Sequence, residues 1–455
     1  MIINQTYLRC ALLFSVVLAS GCSSLNPPTH SNSNLAIAIP ETWDNSHSYV
    51  NSQFSTQLLA LINDEKLSVL VSETLVHNHD LRITALRLRQ AKLLAAQREN
   101  YLQPKLTSTY QASRERSVSI NSNHKLSLDL SWELDVWGRL ADSANAEDSR
   151  AKATELDYMY AQNSLAARVI RAWLDIAYRS EVIKIEEQWI ESLLNTEQII
   201  TERILDGSKE QADLDTSRAA TSRVKASLAS RKLRQLTAIR NLKALRGGND
   251  ESSDTIPSTV PTILAPPLKL PGELIGSRPD LLSAYQKLLA ADKDTSISYK
   301  ELLPKVTFTA SLYRAGSSPE QLSQNPSLWS LVGGITAPIF NQGTLETNAK
   351  IVALKANEAF LNYEKKLLNA MTEVGIALDN EYYLNLQEQH YRDARIHSLA
   401  SMRNYENRYQ EGSSDILTLL IAQQSIYQSS IQLLQTQQSR FSNRVSLGLA
   451  LGMGV

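Results

Sequence analysis

Three carboxylates at alternating positions are the residues best spaced to do chemistry. Asp129, Glu133 and Asp135 take odd positions of the segment 126–136, whose even positions are all apolar. Side chains at alternate positions of a strand point to one face. Two carboxylates on one face could act as acid and base in hydrolysis. A row of acids along a strand is more typical of a water-filled lumen that favours cations, and we interpret Asp129 and Glu133 in that way.

Other catalytic patterns are missing from the sequence. It contains no G-x-S-x-G, no P-loop, no G-x-G-x-x-G after a strand and no C-x-x-C. His77 and His79 are near neighbours, but helical geometry would aim them apart, so we expect no metal site. The net charge of −1 gives no basic field for nucleic acid. We therefore expect neither an enzyme nor a cofactor.

The first residues have the pattern of a secretion signal. Arg9 precedes an apolar run, residues 10–20, and this run leads into the stretch LASGC, which ends at Cys22. The stretch is similar to a bacterial lipobox, so we expect residues 1–21 to be removed and Cys22 to be lipidated. The alternative is ordinary signal cleavage beside an unrelated cysteine.

A polar tether is expected to follow the lipidated cysteine. Residues 22–41 contain Pro, Ser and Asn and have no apolar core of their own. Aspartate is absent from position 23, which resembles the rule for sorting to the outer membrane. Cys10 would leave with the signal, so the mature chain would have one cysteine and no disulfide.

The rest of the chain repeats itself at a spacing of about 200 residues. Asp80-Leu81 corresponds to Asp280-Leu281, and Pro104-Lys105 corresponds to Pro304-Lys305. Each copy predicts a helix, two strands, a very long helix interrupted at a glycine, and a returning helix. The predicted repeats cover residues 42–246 and 272–455, and a Pro-rich linker at 247–271 joins them.

Each repeat contributes two alternating segments. We place strands at about 104–114 and 124–136 in the first repeat, and at about 304–314 and 328–340 in the second. Runs of about ten alternating residues fit a tilted transmembrane strand with one face on lipid. A half-buried strand of a soluble sheet has the same alternation, and from the strands alone the two interpretations are equally favoured.

The long helices favour the membrane interpretation. Apolar residues recur every seven positions from Val169 to Ile190, from Leu354 to Leu368 and from Leu419 to Leu433, which predicts coiled-coil packing. Four strands cannot close a barrel, and an open sheet edge in lipid leaves backbone groups unpaired. Copies of the chain must therefore pool their strands, and three copies would give twelve and leave a lumen.

Three stretches carry a family resemblance: LPGELIGSRPDLLSAYQKLLAAD at 270–292, PIFNQGTLETNA at 338–349 and WELDVWGRLADSANA at 132–146. They resemble the TolC-type outer-membrane factors, and the lipobox resembles the NodT/OprM-like lipoprotein branch that serves RND efflux systems. The resemblance implies a mainly α chain with a small β part. It also implies a homotrimer in which a long coiled-coil α-barrel continues into a twelve-stranded transmembrane β-barrel.

The same resemblance implies function and partners. The chain would be a passive exit duct for small toxic compounds, in the outer membrane of a Gram-negative bacterium. It would work with a periplasmic adaptor and an inner-membrane RND-type pump. Two alternatives are an exit channel for type I protein secretion and a structural coiled-coil lipoprotein without a pore.

The resemblance also points to a gate at the helical tip, residues 409–427. Leu417 matches the leucine that narrows the pore in the family, whereas Ile421 and Gln424 stand where aspartate and arginine are usual. The acidic part of the gate would then come from other residues, with Asp213 and Asp415 as the candidates and Asp215 beside them. Alternatively, each of these aspartates is a solvated residue of a helix turn.

Overall fold

The computed structural model describes residues 28–30, 37–43, 57–62, 64–116, 120–248, 260–261, 264–266, 268 and 271–455. The expected signal peptide, Cys22 and most of the predicted linker lie outside these residues. Within them, no helix combines the length and the apolar run needed to cross a membrane.

Helices and strands follow one order twice along the chain. The first pass is α1 (Glu65–His77), α2 (His79–Asn100), β1 (Lys105–Arg116), β2 (Ile120–Leu134), α3 (Arg139–Leu205) and α4 (Gln211–Arg246). The second is α5 (Pro279–Lys300), β3 (Lys305–Gly316), β4 (Leu328–Thr336), α6 (Gln342–Gln410) and α7 (Ile416–Ala450). Two short helices, Leu274–Ser277 and Pro319–Gln324, precede α5 and β4.

The chain divides into two compact units that cut across the sequence repeats. The sheet unit comprises residues 1–36, 87–155 and 283–365, and the helical unit comprises residues 37–86, 156–282 and 366–455. Each unit therefore takes segments from both repeats. The 67-residue helix α3 is about 100 Å long at the usual rise per residue.

The four predicted strands form one antiparallel sheet in the order β1-β2-β3-β4. Leu128 lies opposite Leu312, which lies opposite Trp329, so apolar side chains line up across the strands. On the other face, Thr107 lies opposite Asp129, which lies opposite Ser311. One face of the sheet is therefore apolar and the other polar, as the alternation predicts.

Two strand ends were predicted too late. β2 ends at Leu134 rather than 136, because the Asp135 carboxylate turns to accept the backbone N–H groups of Leu140 (2.9 Å) and Ala141 (2.8 Å) at the start of α3. β4 ends at Thr336 rather than 340, two residues before Pro338, which cannot donate to a ladder.

Tryptophan side chains fasten both points where a helix changes into a strand. The indole N–H of Trp132 donates to the carbonyl oxygen of Leu102 (3.0 Å), and that of Trp137 donates to the carbonyl oxygen of Pro304 (2.7 Å). Asp142 joins α3 to α5, because its carboxylate accepts hydrogen bonds from Lys293, Ser296 and Lys300.

The predicted heptads pack within the chain in two of three helices. Val169 and Ile176 of α3 are fully buried, and Leu419 and Ile426 of α7 are almost fully buried. The heptad leucines of α6 are not buried: the exposed fraction is 69% for Leu354, 55% for Leu361 and 50% for Leu368. These α6 residues form an apolar stripe that a single chain leaves uncovered.

Buried ion pairs hold α6 against α7 in the helical unit. Arg440 donates to Glu381 (2.9 Å) and to Glu388 (2.9 Å), and Arg444 donates to Glu381 (2.8 Å). Glu381 and Glu388 are both buried. Burial alone would raise the pKa of Glu388, but hydrogen bonds from Arg440 and Gln437 outweigh it and lower the pKa.

We predict that Arg440→Ala lowers the free energy of unfolding by about 3 kcal/mol, because it removes from two buried carboxylates the arginine that they share. Glu381 then keeps only Arg444 as a cationic partner, and Glu388 keeps only the exposed Arg392. Arg392→Ala is the matched control, since Arg392 pairs with the same Glu388 (2.8 Å) from an exposed position and should cost only about 0–1 kcal/mol. Urea unfolding of the detergent-solubilised protein measures both, and equal losses would contradict the prediction.

The stabilisation that Arg440 provides through Glu388 should depend on pH in a defined direction. The pKa of Glu388 is lower in the folded protein than in the unfolded chain. The ionised carboxylate therefore stabilises the fold above the ordinary glutamate pKa of about 4.3, and this stabilisation is lost as the pH falls through the folded pKa. The stability difference between the native protein and Arg440→Ala should therefore shrink at acidic pH.

Candidate pore-lining site

The polar face of the sheet holds the two carboxylates predicted to line a lumen. Asp129 accepts hydrogen bonds from the hydroxyls of Ser127 (2.7 Å) and Ser311 (2.6 Å). Glu133 pairs with Arg139 at 2.7 Å. The hydrogen-bond partners of Asp129 are thus neutral hydroxyls, whereas the partner of Glu133 is a guanidinium group. The two groups therefore have different partners.

The helical tip is built from two hairpins with the same local geometry. Gly207 follows α3 with φ of +79°, and Gly412 follows α6 with φ of +78°. A left-handed residue just after a helix ends it and lets the chain reverse. The hairpins share an apolar core that includes Leu193, Ile200 and Leu419.

The predicted gate residues of α7 share one exposed face. Leu417 is 59% exposed and Ile421 is 58% exposed, and Gln424 is exposed as well. Their spacing of four and three residues puts them on one side of a helix. Ile416 and Leu420, on the other side, are buried in the core of the tip. The structure thus brings Leu417, Ile421 and Gln424 together and leaves them free for contacts outside this chain.

The candidate acids of the tip act locally at helix starts. The Asp415 carboxylate caps α7 by accepting from the backbone N–H (2.7 Å) and the hydroxyl (3.1 Å) of Thr418. Those hydrogen bonds hold the pKa of Asp415 below its ordinary value, so it is charged at neutral pH. Asp213 lies 3.9 Å from the Lys209 ammonium, and Asp215 accepts from Gln211 (3.3 Å).

One clamp at the tip was not predicted from the sequence. The Arg203 guanidinium donates to the carbonyl oxygens of Tyr409 and Gln410, at the end of α6. It also lies over the Tyr409 ring at 5.2 Å, and the Lys209 ammonium lies over the same ring at 5.3 Å. A second contact joins the side-chain amide of Gln423 to the hydroxyl of Thr196 (3.0 Å). No local pattern signals these pairs, because their members are far apart in the chain.

The RPD stretch of the second repeat has a structural role. Arg278 is buried and binds both oxygens of Asp280 (3.0 Å each). It also donates to Glu373 (2.8 Å) and to the carbonyl oxygen of Ala450 (3.1 Å). Gly452 completes the contact, since it has φ of +76° and a Cβ there would lie 2.5 Å from the Ser277 carbonyl oxygen. The motif therefore ties the start of α5 to the end of α7.

Metal ligands do not converge in the described ranges, where no three His, Cys, Asp or Glu residues form a group that could hold a metal ion. The polar residues singled out above are instead engaged with hydroxyls, guanidinium groups or helix ends.

The curated relatives include proteins named for efflux and export. The chain is 26% identical over 398 residues to the cation efflux system protein CusC of Escherichia coli O6:H1, covering 86% of each chain. It is 26% identical over 471 residues to the pyoverdine export outer membrane protein OpmQ of Pseudomonas putida, covering 98% of this chain and 97% of that protein.

Solved structures have the same fold. The open state of the MtrE outer membrane channel of Neisseria gonorrhoeae matches with a TM-score of 0.85 at 23% identity, covering 94% of this chain and 98% of that one. The predicted fold, a mainly helical chain with a small four-stranded sheet, is thereby confirmed.

The family match agrees with the motifs found in the sequence. The model of the family described as outer membrane efflux protein matches residues 70–248 and 270–453, which include the RPD stretch and both tip hairpins. The resemblance to TolC-type outer-membrane factors and the expected outer-membrane location are confirmed, and this chain belongs to the outer membrane efflux protein family.

Proposed function

We propose that three copies of this chain form an outer-membrane exit duct that passively conducts small toxic compounds out of the cell. The observation that carries the proposal is the sheet. Its apolar face is uncovered, with Leu106, Trp329 and Ile335 between 66% and 74% exposed, and its outer strands β1 and β4 each pair on one side only within the described chain.

Both features are costly for a single copy. An uncovered apolar sheet face is unfavourable in water, and unpaired backbone groups along a strand edge are unfavourable in lipid. Pairing β1 of one copy with β4 of the next removes both edges, and the apolar face then meets lipid. Three copies give twelve strands, enough to surround a lumen lined by the polar face that carries Asp129.

The helices support contact between copies. The exposed stripe of Leu354, Leu361 and Leu368 on α6 has heptad spacing, which is the spacing of a coiled-coil contact. Its partner would be a helix of a neighbouring copy. Cys22 would carry the lipid that anchors each copy beside the barrel.

The energy for transport would come from other proteins. The sequence has no P-loop or other nucleotide-binding motif, so a passive duct needs a pump. We propose a periplasmic adaptor and an inner-membrane RND-type pump as partners, with no catalysis by this chain. The names of CusC and OpmQ describe efflux of cations and export of pyoverdine, and support small compounds as the cargo class.

Protein secretion is the second candidate. A relative in Aggregatibacter actinomycetemcomitans, 27% identical over 394 residues, is named toxin and drug export protein A. Loss of this chain should raise sensitivity to small toxic compounds if it serves efflux. Unchanged sensitivity together with loss of a secreted protein would favour the second candidate.

The first test of the duct is the native mass of the protein extracted from the outer membrane with detergent. We expect a heat-sensitive trimer, because only pooled strands remove the sheet edges. Mass spectrometry of the same sample should find a chain that begins at an acylated Cys22. A folded monomer would overturn the duct and favour a structural coiled-coil lipoprotein without a pore. An unmodified Cys22 would overturn the lipid anchor alone.

The two faces of β4 give a matched pair of variants. Leu331→Arg puts a charge on the proposed lipid face, where an arginine near the middle of the membrane costs about 2–4 kcal/mol. Ser330→Arg puts the same charge on the polar face next to it. The amount of heat-sensitive trimer in outer-membrane fractions should fall for Leu331→Arg and persist for Ser330→Arg. Similar losses in both would contradict the assignment of the faces.

For the gate, we predict that Leu417→Ser raises the resting conductance in planar bilayers only modestly. Leu417 shares its exposed face with Ile421 and Gln424, so closure would be distributed over several side chains. Leu236→Ser, at an exposed position of α4, is the control and should leave conductance unchanged. A large increase for Leu417→Ser would mean that this leucine alone holds the pore shut.

A further inference from the structure

A polar cavity of about 210 Å³ lies among α3, α4 and α7 in the helical unit. Apart from one valine its lining is polar, and it contains no carboxylate: Tyr178, Arg179, Arg231, Arg234, Gln435 and Gln438. Like charges at close range repel, so three guanidinium groups around one small cavity need compensating negative charge, which lies outside its lining.

The guanidinium groups keep donors to spare. Arg179 uses its Nε atom to bind Asp175 at 2.7 Å, and Arg231 uses its Nε atom to bind Glu186. Beyond these bonds, their terminal N–H groups have no acceptor in the described part of the chain. Arg234 has no carboxylate partner at all there, since its hydrogen bond goes to the Ser230 hydroxyl (3.2 Å). Asp175 and Glu186 compensate two of the three arginines, so the cavity keeps one uncompensated positive charge, that of the exposed Arg234, together with spare hydrogen-bond donors.

The buried hydroxyl of Tyr178 is a second, independent indication that the cavity binds a ligand. It is 1% exposed, and its hydroxyl has no hydrogen-bond partner within the described ranges. Buried hydroxyls in folded proteins almost always have one, so an exception requires an explanation. Burial, and then the nearby charge of Glu388, raise the pKa of Tyr178, so the hydroxyl remains protonated and able to donate. A ligand in the cavity would supply the missing acceptor.

We propose that this cavity binds a small oxyanion, a phosphate or a carboxylate. Arg234 and the terminal N–H groups of Arg179 and Arg231 would supply charge-assisted hydrogen bonds, which are short and strong. Tyr178 would add a neutral donor. The planar fork of a guanidinium matches the paired oxygens of either anion. The bound anion would hold α3, α4 and α7 together, and the site does not depend on the proposed duct.

The test is thermal unfolding of the detergent-solubilised full chain against increasing concentrations of potassium phosphate and, separately, of potassium succinate. Potassium chloride keeps the ionic strength constant. A ligand that binds the folded state raises the melting temperature in a saturable way. We expect saturation for at least one of the two anions, and the anion with the lower apparent Kd identifies the class of ligand.

Three variants make the test specific. Arg234→Gln should weaken the apparent affinity by about tenfold or more, since it removes a charged donor that has no carboxylate partner. Arg223→Gln changes another exposed arginine of α4 that does not line the cavity, and should behave as the native protein. Tyr178→Phe removes only the hydroxyl, so it should weaken anion binding without lowering the melting temperature in chloride alone.

Several results would overturn the site. A melting temperature that rises without saturation, or equally in all variants, would mean a general salt effect. No rise with either anion would mean that water or a neighbouring copy fills the cavity. Lower stability of Tyr178→Phe in chloride would mean that the hydroxyl already has a partner in the free protein. The native mass is measured separately, so failure of the trimer and failure of this site are distinguishable.

Discussion

The outer sides of β1 and β4 impose the constraint on which the rest of the structure depends. Along these edges the backbone N–H and C=O groups have no strand partner within the described chain. In water such groups can bind solvent, but in hydrocarbon each one costs several kcal/mol. A sheet of four strands with an apolar face can enter a membrane only when its edges are joined to other strands, so assembly and membrane insertion become one requirement.

The long helices also leave apolar surface uncovered. Each sequence repeat supplies two strands, and a helix of more than sixty residues follows directly: α3 has 67 residues and α6 has 69. α3 buries its heptad residues within the chain, whereas α6 exposes Leu354, Leu361 and Leu368. A chain built in this way has uncovered apolar surface on both its sheet and its helices, and the proposed assembly with further copies of itself would cover both.

Charged groups take a different part in the fold. The buried ones are paired across helices that are distant in sequence, as Arg440 is with Glu388 and Arg278 is with Glu373. Such pairs contribute little net stability compared with apolar packing, but breaking one is costly, so they oppose sliding of one helix along another. At the tip, Arg203 joins the two hairpins through backbone carbonyls, which makes this contact independent of the side chain at position 410.

The sequence by itself determined the elements and the family. Period-two alternation marked all four strands, heptads marked the long helices, and the glycines after α3 and α6 marked the tip, because each signal depends only on geometry within a few neighbouring residues. The tertiary structure alone decided the partners. Asp129 meets Ser311, Arg203 meets Tyr409, and the arginines of α3 and α4 surround one cavity. Those contacts join segments that lie far apart in the chain, and a local period specifies which face is apolar but not which distant residue lies against it.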